Sequence, residues 1–157
     1  MFKKETYINR RKQLKERFED GILLFLGNEE SSMNYMDNTY RFRQDSSFLY
    51  YFGLDYPGLI GIIDIDNDKD YIFGDDLTID HIVWMGSQPT IKERSEKAGI
   101  ENTGSMNQML DFLKSAKQKG RKTHFLPAYR PEHQIKLYNW LEIPVNETNK
   151  HASIYLI

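Results

Sequence analysis

The chain of 157 residues has the length of one domain, and its 39% apolar and 28% charged residues are typical of a globular fold. Its net charge of −2 gives no overall attraction to nucleic acid or to an anionic membrane, so neither is expected as a partner. The lack of cysteine excludes disulfides and thiolate metal sites, and the first residues do not resemble a signal peptide, so we expect a cytoplasmic location.

The first elements are predicted to be a helix and a strand. Residues 4–19 carry apolar side chains at helical spacing on one face and basic side chains on the other. The apolar positions are Tyr7, Leu14 and Phe18, and the basic ones are Arg10, Arg11, Lys12 and Lys15. The short apolar run Ile22–Leu26 predicts a buried strand.

Three further strands are predicted in the middle of the chain. Residues 48–52 are rich in aromatic side chains, which favour strands, and the run ends at Gly53. Residues 59–65 and 71–73 flank the turn residues 66–69, which predicts a hairpin.

The second half of the chain carries helix start and stop patterns. Residues 78–84 are predicted to form a short helix. Thr90 and Ser105 each begin a capping-box pattern, and Gly99 and Gly120 are the matching stops.

One more strand and one more helix follow. Residues 123–126 predict the strand, and Pro131 is suited to the first turn of a helix that runs to about residue 141. The predicted buried face of this helix holds Ile135, Tyr138 and Leu141. The alternation of strands and helices predicts an α/β domain with a mixed β-sheet flanked by helices.

The predicted hairpin turn is acidic, with aspartates at positions 64, 66, 68 and 70. A solvated turn explains them, because Asp favours turns. A calcium loop is disfavoured because it would need glycine and glutamate where Lys69 and Asp75 stand. A metal-dependent nuclease site built on the aspartates from Asp64 to Asp76 is a weaker alternative. The four histidines lack metal-ligand spacing, and His133 is predicted to lie on a helix surface.

The candidate binding residues lie in an aromatic-rich stretch, in which seven of the 17 residues from Tyr40 to Tyr56 are aromatic. Arg41 and Arg43 alternate with rings there, so in an extended segment both guanidinium groups point the same way. They can clamp a carboxylate of a ligand or partner, or pair with nearby acidic residues such as Asp45, which is the commoner arrangement.

The segment YRFRQDSSFLYYFG, residues 40–53, resembles the N-terminal domain of Xaa-Pro aminopeptidases and prolidases. Trp84-Met85-Gly86 is similar to the Trp-x-Gly of that family, and Ala98-Gly99-Ile100 to its later Gly-Ile element. The resemblance implies that residues 1–157 form one domain of the creatinase/prolidase N-terminal type, which is ribonuclease H-like. It implies no catalytic residue and no metal ligand in this chain.

The resemblance also implies what the whole protein does. The family's enzymes carry a C-terminal pita-bread catalytic domain, absent from this chain, that holds two divalent ions, usually Mn²⁺. The chain would then be the non-catalytic N-terminal domain of an Xaa-Pro aminopeptidase or dipeptidase that acts on proline-containing peptides. It would contact its own catalytic domain, contribute to homo-oligomerisation and wall the active-site entrance.

The resemblance implies a role for Trp84, whereas the aromatic-rich stretch itself supplies the candidates Tyr40, Arg41 and Arg43. Trp84 would control substrate access, whereas physical reasoning alone favours a core position for this tryptophan. Tyr40, Arg41 and Arg43 would make interface or carboxylate contacts. The apolar residues 152–157 lead us to expect that the chain was cut from a longer protein. The alternative is a free-standing protein-interaction module with a peptidase-like fold and no chemistry.

Overall fold

The computed structural model describes residues 1–30 and 41–152. These residues form a five-stranded sheet with the strand order β4-β3-β2-β1-β5. The strands are β1 (Ile22–Leu26), β2 (Ile60–Asp64), β3 (Lys69–Phe73), β4 (Asn102–Gly104) and β5 (Thr123–Phe125). β2 pairs antiparallel with β1 and β3, whereas β5 is parallel to β1 and β4 is parallel to β3. The predicted mixed sheet and hairpin are confirmed, and β4 is a strand that the sequence pattern did not indicate.

Helices cover both faces of the sheet. They are α1 (Lys4–Lys15), α2 (Ser46–Phe52), α3 (Ile79–Met85), α4 (Ile91–Glu96), α5 (Met106–Gln118), α6 (Pro131–Leu141) and α7 (Thr148–His151), with a 3₁₀ turn at Val145–Glu147. Leu23 and Phe25 of β1 pack in a core with α1, α2 and α4. Ile22 and Leu24 pack in a second core with α5 and α6. Because both faces of β1 are buried, the strand carries apolar side chains at every position.

The predicted caps of α4 and α5 are confirmed. The Thr90 side chain accepts a hydrogen bond from the Glu93 amide, and Ser105 forms a reciprocal capping box with Gln108. Gly120 has a φ of +68°, and the amide of the next residue, Arg121, donates to the carbonyl oxygen of Ala116 in α5. This left-handed glycine and the hydrogen bond after it end the helix.

The strand predicted over residues 48–52 is wrong, because this segment is helix α2. The Asp45 carboxylate accepts a hydrogen bond from the Phe48 amide at 2.9 Å and caps the helix N-terminus. Gly53, with a φ of +65°, ends the helix. Two good caps outweigh the strand preference of aromatic residues, and Phe48 and Phe52 become buried on one helix face.

The predicted orientation of α6 is also wrong. Ile135 and Tyr138 are 53% and 54% exposed, whereas His133 and Leu137 are buried. Both pairs satisfy helical spacing, so periodicity could not choose between them. The His133 ring nitrogen Nε2 lies 3.2 Å from the Gly27 carbonyl oxygen, and this partner allows a polar side chain on the buried face.

The acidic turn between β2 and β3 is a structural hairpin whose carboxylates face basic side chains. Arg121 donates from Nε to Asp66 at 2.8 Å and also pairs with the buried Asp64. Lys15 pairs with Asp68 at 3.0 Å. The turn interpretation accounts for these aspartates without a metal ion.

Candidate functional site

The segment that leads into α2 is fixed by Gln44, a buried side chain that uses both ends of its amide. Its Nε2 donates to the carbonyl oxygens of Leu54 and Tyr56 at 2.9 and 3.0 Å. Its Oε1 accepts from the backbone amides of Asn28 and Asp45 at 2.8 and 3.0 Å. These four bonds fix Gln44 between the segment after β1 and the turn after α2.

Arg41 and Arg43 both have exposed side chains beside this fixed point. They line a groove of about 470 Å³ together with Phe42, Ser46, Leu49 and Asp55. Within residues 1–30 and 41–152, neither arginine forms an ion pair. The expected partner Asp45 is engaged elsewhere, since its carboxylate accepts from the Phe48 amide and from the Tyr129 hydroxyl at 3.1 Å.

A second groove of about 490 Å³ adjoins the first and is more apolar. It shares Ser46, Leu49 and Asp55 with the first groove, and adds Met1, Phe2, Tyr7, Arg10, Tyr50 and Gly53. The Arg10 guanidinium lies 4.0 Å from the centre of the Tyr50 ring and donates to the Tyr50 carbonyl at 2.9 Å. We refer to the two adjoining grooves together as the α2 groove.

The structure therefore places Arg41 and Arg43 on one groove, and Trp84 lies elsewhere. Tyr40 lies outside the described residues. Trp84 does not line the α2 groove and lies on α3.

Trp84 is 87% exposed, so the expectation of a core position is wrong. Its helix also exposes Ile79 and Val83, at 81% and 76%. Apolar residues occur on every side of α3, so no polar face remains to mark the solvent side. An exposed apolar helix of this kind is typical of a surface that contacts another protein.

A polar cluster lies at the carboxyl ends of the parallel strands β1 and β5, where His133 is buried and Tyr129 is 67% exposed. Asp45, Tyr129 and His133 line a cavity of about 30 Å³ there, which is room for about one water molecule. Burial lowers the pKa of His133, and burial together with the Asp45 carboxylate raises the pKa of Tyr129. The cavity is too small for a substrate, and these groups serve packing and hydrogen bonding.

Clusters of metal-ligand side chains are absent from the part of the chain that the structure describes. No three or more His, Asp or Glu side chains there lie close enough together to hold an ion. None of the described helices has the length and hydropathy needed to cross a membrane.

Sequence reasoning missed two contributors to the α2 groove. The sequence pattern identifies Arg10 only as one basic residue of α1, and Tyr50 only as one residue of a predicted aromatic strand. A capped helix is indicated by Asp45 three residues before Phe48 and by the later Gly53. Such a helix places Leu49 and Tyr50 on its solvent-exposed face.

Two comparisons of sequence point to one family. The family model described as aminopeptidase P, N-terminal domain, matches residues 7–125, which is more than half of the chain. Human Xaa-Pro dipeptidase is 31% identical over 96 residues, covering 61% of this chain and 20% of that protein. The Xaa-Pro dipeptidase of Rattus norvegicus is 29% identical over 89 residues, covering 57% of this chain and 18% of that protein. The chain thus spans about a fifth of the length of these curated relatives.

Solved structures share the fold. An aminopeptidase of Pseudomonas aeruginosa superposes with a TM-score of 0.75 at 19% identity, covering 97% of this chain and 35% of that one. Aminopeptidase P of E. coli with the inhibitor Pro-Leu superposes with a TM-score of 0.73 at 20% identity, covering 90% of this chain and 33% of that one. At this level of identity the likeness establishes the fold.

Proposed function

Because the chain belongs to the aminopeptidase P N-terminal domain family, we propose that it is the non-catalytic N-terminal domain of a metal-dependent peptidase acting on Xaa-Pro bonds. In this proposal a separate C-terminal catalytic domain binds two divalent ions, expected to be Mn²⁺, and hydrolyses the bond before proline. A cytoplasmic location belongs to the same proposal. Aminopeptidase and dipeptidase remain equal alternatives for the whole protein, because relatives of both kinds match.

The domain's own contribution is to oligomerisation and to the wall of the active-site entrance. The observation that carries this part is the exposed apolar surface of α3, which holds Trp84, Val83 and Ile79. A tryptophan on such a surface can pack against a neighbouring subunit and stack on the ring of a substrate proline.

The first test is the coding DNA beyond residue 157. The proposal expects an open frame of about 250–300 further residues that encodes a metal-binding domain with two Asp, one His and two Glu ligands. A stop codon directly after Ile157 contradicts it.

The second test is enzymatic. The chain alone is expected to show no Mn²⁺-dependent hydrolysis of Gly-Pro or of a tripeptide with proline in second position. Robust hydrolysis by a preparation free of contaminating peptidases would contradict the assignment of a non-catalytic domain.

The oligomerisation part is tested by sedimentation equilibrium. A Val83→Ser, Trp84→Ser double variant is expected to weaken self-association, because it removes two apolar side chains from the α3 surface. Tyr138→Ser on α6 is the matched control, since Tyr138 is also an exposed ring but lies on another helix. Equal loss of association in both variants would argue against a specific role of α3.

A second candidate function is a free-standing protein-interaction module with this fold and no chemistry. The specific observation that favours it is the α2 groove, where Arg41 and Arg43 are exposed. A stable partner that is retained by the native chain and lost on Arg43→Ala would support this alternative.

A further inference from the structure

The α2 groove carries an excess of positive charge, although the whole chain has a net charge of −2. Three arginines line it, Arg10, Arg41 and Arg43, against one acidic residue, Asp55. Among the residues that the structure describes, none of the three arginines forms an ion pair with a carboxylate. Charged side chains at a surface are commonly balanced by their neighbours, so this local excess favours an anionic partner.

The end of the groove nearest the N-terminus adds exposed apolar surface to this charge. Phe2 is 64% exposed, Tyr50 49% and Leu49 40%. The Arg10 guanidinium lies 5.1 Å from the Phe2 ring centre and 4.0 Å from that of Tyr50. This end is suited to an aromatic or aliphatic side chain that packs on the rings near a positive charge.

The size and rigidity of the groove are suited to an extended peptide. Its two parts, of about 490 and 470 Å³, adjoin at Ser46, Leu49 and Asp55. Each part is as large as a small-ligand site, so the two together accommodate several residues of an extended chain. The four hydrogen bonds of Gln44 and the Asp45 cap hold its floor in place, which reduces the entropy lost on binding.

We propose that the α2 groove binds an extended acidic peptide segment of a partner protein. Carboxylates of the peptide pair with Arg41 and Arg43, and an aromatic or aliphatic side chain a few residues away packs against Tyr50, Leu49 and Phe2. Asp55, exposed between the two ends, accepts a backbone N–H of the peptide. Asp55 and the apolar wall disfavour a nucleic acid, whose phosphates would meet a carboxylate midway along the groove.

The test is fluorescence anisotropy with the full 157-residue chain. The probe is a fluorescein-labelled, end-capped hexapeptide of sequence Asp-Glu-Asp-Tyr-Phe-Glu, and two reference peptides replace either its acidic residues with lysine or its two rings with alanine. Saturable binding of the first peptide is expected, at least about tenfold tighter than binding of either reference peptide, because both charge and apolar contact contribute. Binding should weaken with added salt.

Variants locate the site. Arg41→Gln combined with Arg43→Gln is expected to weaken binding by about tenfold or more, since two charge-assisted contacts are lost. Leu49→Ser is expected to weaken it by a smaller factor. Arg17→Gln, the same change at another exposed arginine outside the groove, is the matched control and should bind like the native chain. Circular dichroism confirms that each variant remains folded.

Three results would overturn the proposal. The first is no saturable binding of the acidic peptide up to about 1 mM, which is the limit of weak association. The second is equal affinity of the native chain and the double arginine variant. The third is tighter binding of a single-stranded oligonucleotide or of anionic lipid vesicles than of the peptide, which would assign the groove to another class of partner.

Discussion

The guanidinium of Arg11 donates from Nε to the carboxylate of Asp70 at 2.7 Å, and these two residues lie 59 positions apart in the chain. The same guanidinium donates to the carbonyl oxygens of Tyr51 and Ala98 at 2.8 Å each. Arg11 is fully buried, and burial lowers its pKa. One side chain thus joins α1 to β3, to α2 and to the turn after α4. The sequence pattern places Arg11 on the basic face of this helix, opposite the apolar face.

Replacing Arg11 with methionine is expected to destabilise the fold by about 3 kcal/mol or more, because two carbonyls, one of them in a buried hydrogen bond, and one carboxylate lose their donor. Urea unfolding followed by circular dichroism measures the change. Lys12→Met, at the exposed neighbour on the same helix, should cost less than about 0.5 kcal/mol. Similar losses in the two variants would show that Arg11 does not have the anchoring role assigned to it.

Removing the cap of α2 tests why this segment is a helix. Asp45→Ala is expected to lower the free energy of unfolding by about 1–2 kcal/mol, since the Phe48 amide loses its acceptor. Tyr129→Phe removes only the second hydrogen bond to Asp45 and should cost less. If Tyr129→Phe were as harmful as Asp45→Ala, the hydroxyl contact and not the cap would be the main stabilising interaction.

The fold was predictable where one local pattern determines an element. The hairpin followed from β-branched runs around turn residues, and α5 followed from the Ser105 cap and the Gly120 stop. Helix α2 is not predicted because aromatic residues favour strands. The buried face of α6 is predicted incorrectly because the hydrogen-bond partner of His133 is a carbonyl more than a hundred residues away. Long-range hydrogen bonds and the exposure of Trp84 depend on which elements meet, and a local pattern does not contain that information.

The burial of His133 gives the stability a defined pH dependence. Burial lowers the pKa of His133 in the folded chain, and the nearby Lys136 lowers it further, against the opposing effects of the Gly27 carbonyl, Glu132 and Asp45. Between that lowered pKa and the ordinary value of about 6.5, the unfolded chain binds a proton that the folded chain does not. The free energy of unfolding should therefore fall as the pH is lowered from about 7.5 through this window.

Urea unfolding at several pH values between about 8 and 5 measures this dependence. His133→Gln keeps a donor for the Gly27 carbonyl but cannot titrate, so its stability should fall less steeply over the same range. Part of the change in the free energy of unfolding with pH should remain in this variant, because burial also lowers the pKa of His124. An unchanged slope in the variant would mean that His133 does not contribute.

Trp84 should be nearly neutral for the stability of the isolated chain. Because its side chain is 87% exposed, Trp84→Ser is expected to change the free energy of unfolding by less than about 0.5 kcal/mol. Phe48→Ala, at a fully buried ring, is expected to cost about 3–5 kcal/mol. A large loss at Trp84 would indicate that α3 packs against the domain and does not offer its apolar surface to a partner.

The acidic hairpin between β2 and β3 has a consequence for how the molecule opens. Its aspartates pair on one side with Arg11 and Lys15 of α1, and on the other with Arg121, which directly follows the stop of α5. The ion pairs of this one hairpin therefore connect to α1 on one face of the sheet and to the end of α5 on the other. Loosening of this turn should release both helices in one step, so that the slowest amide protons of α1 and α5 exchange with solvent at a common rate.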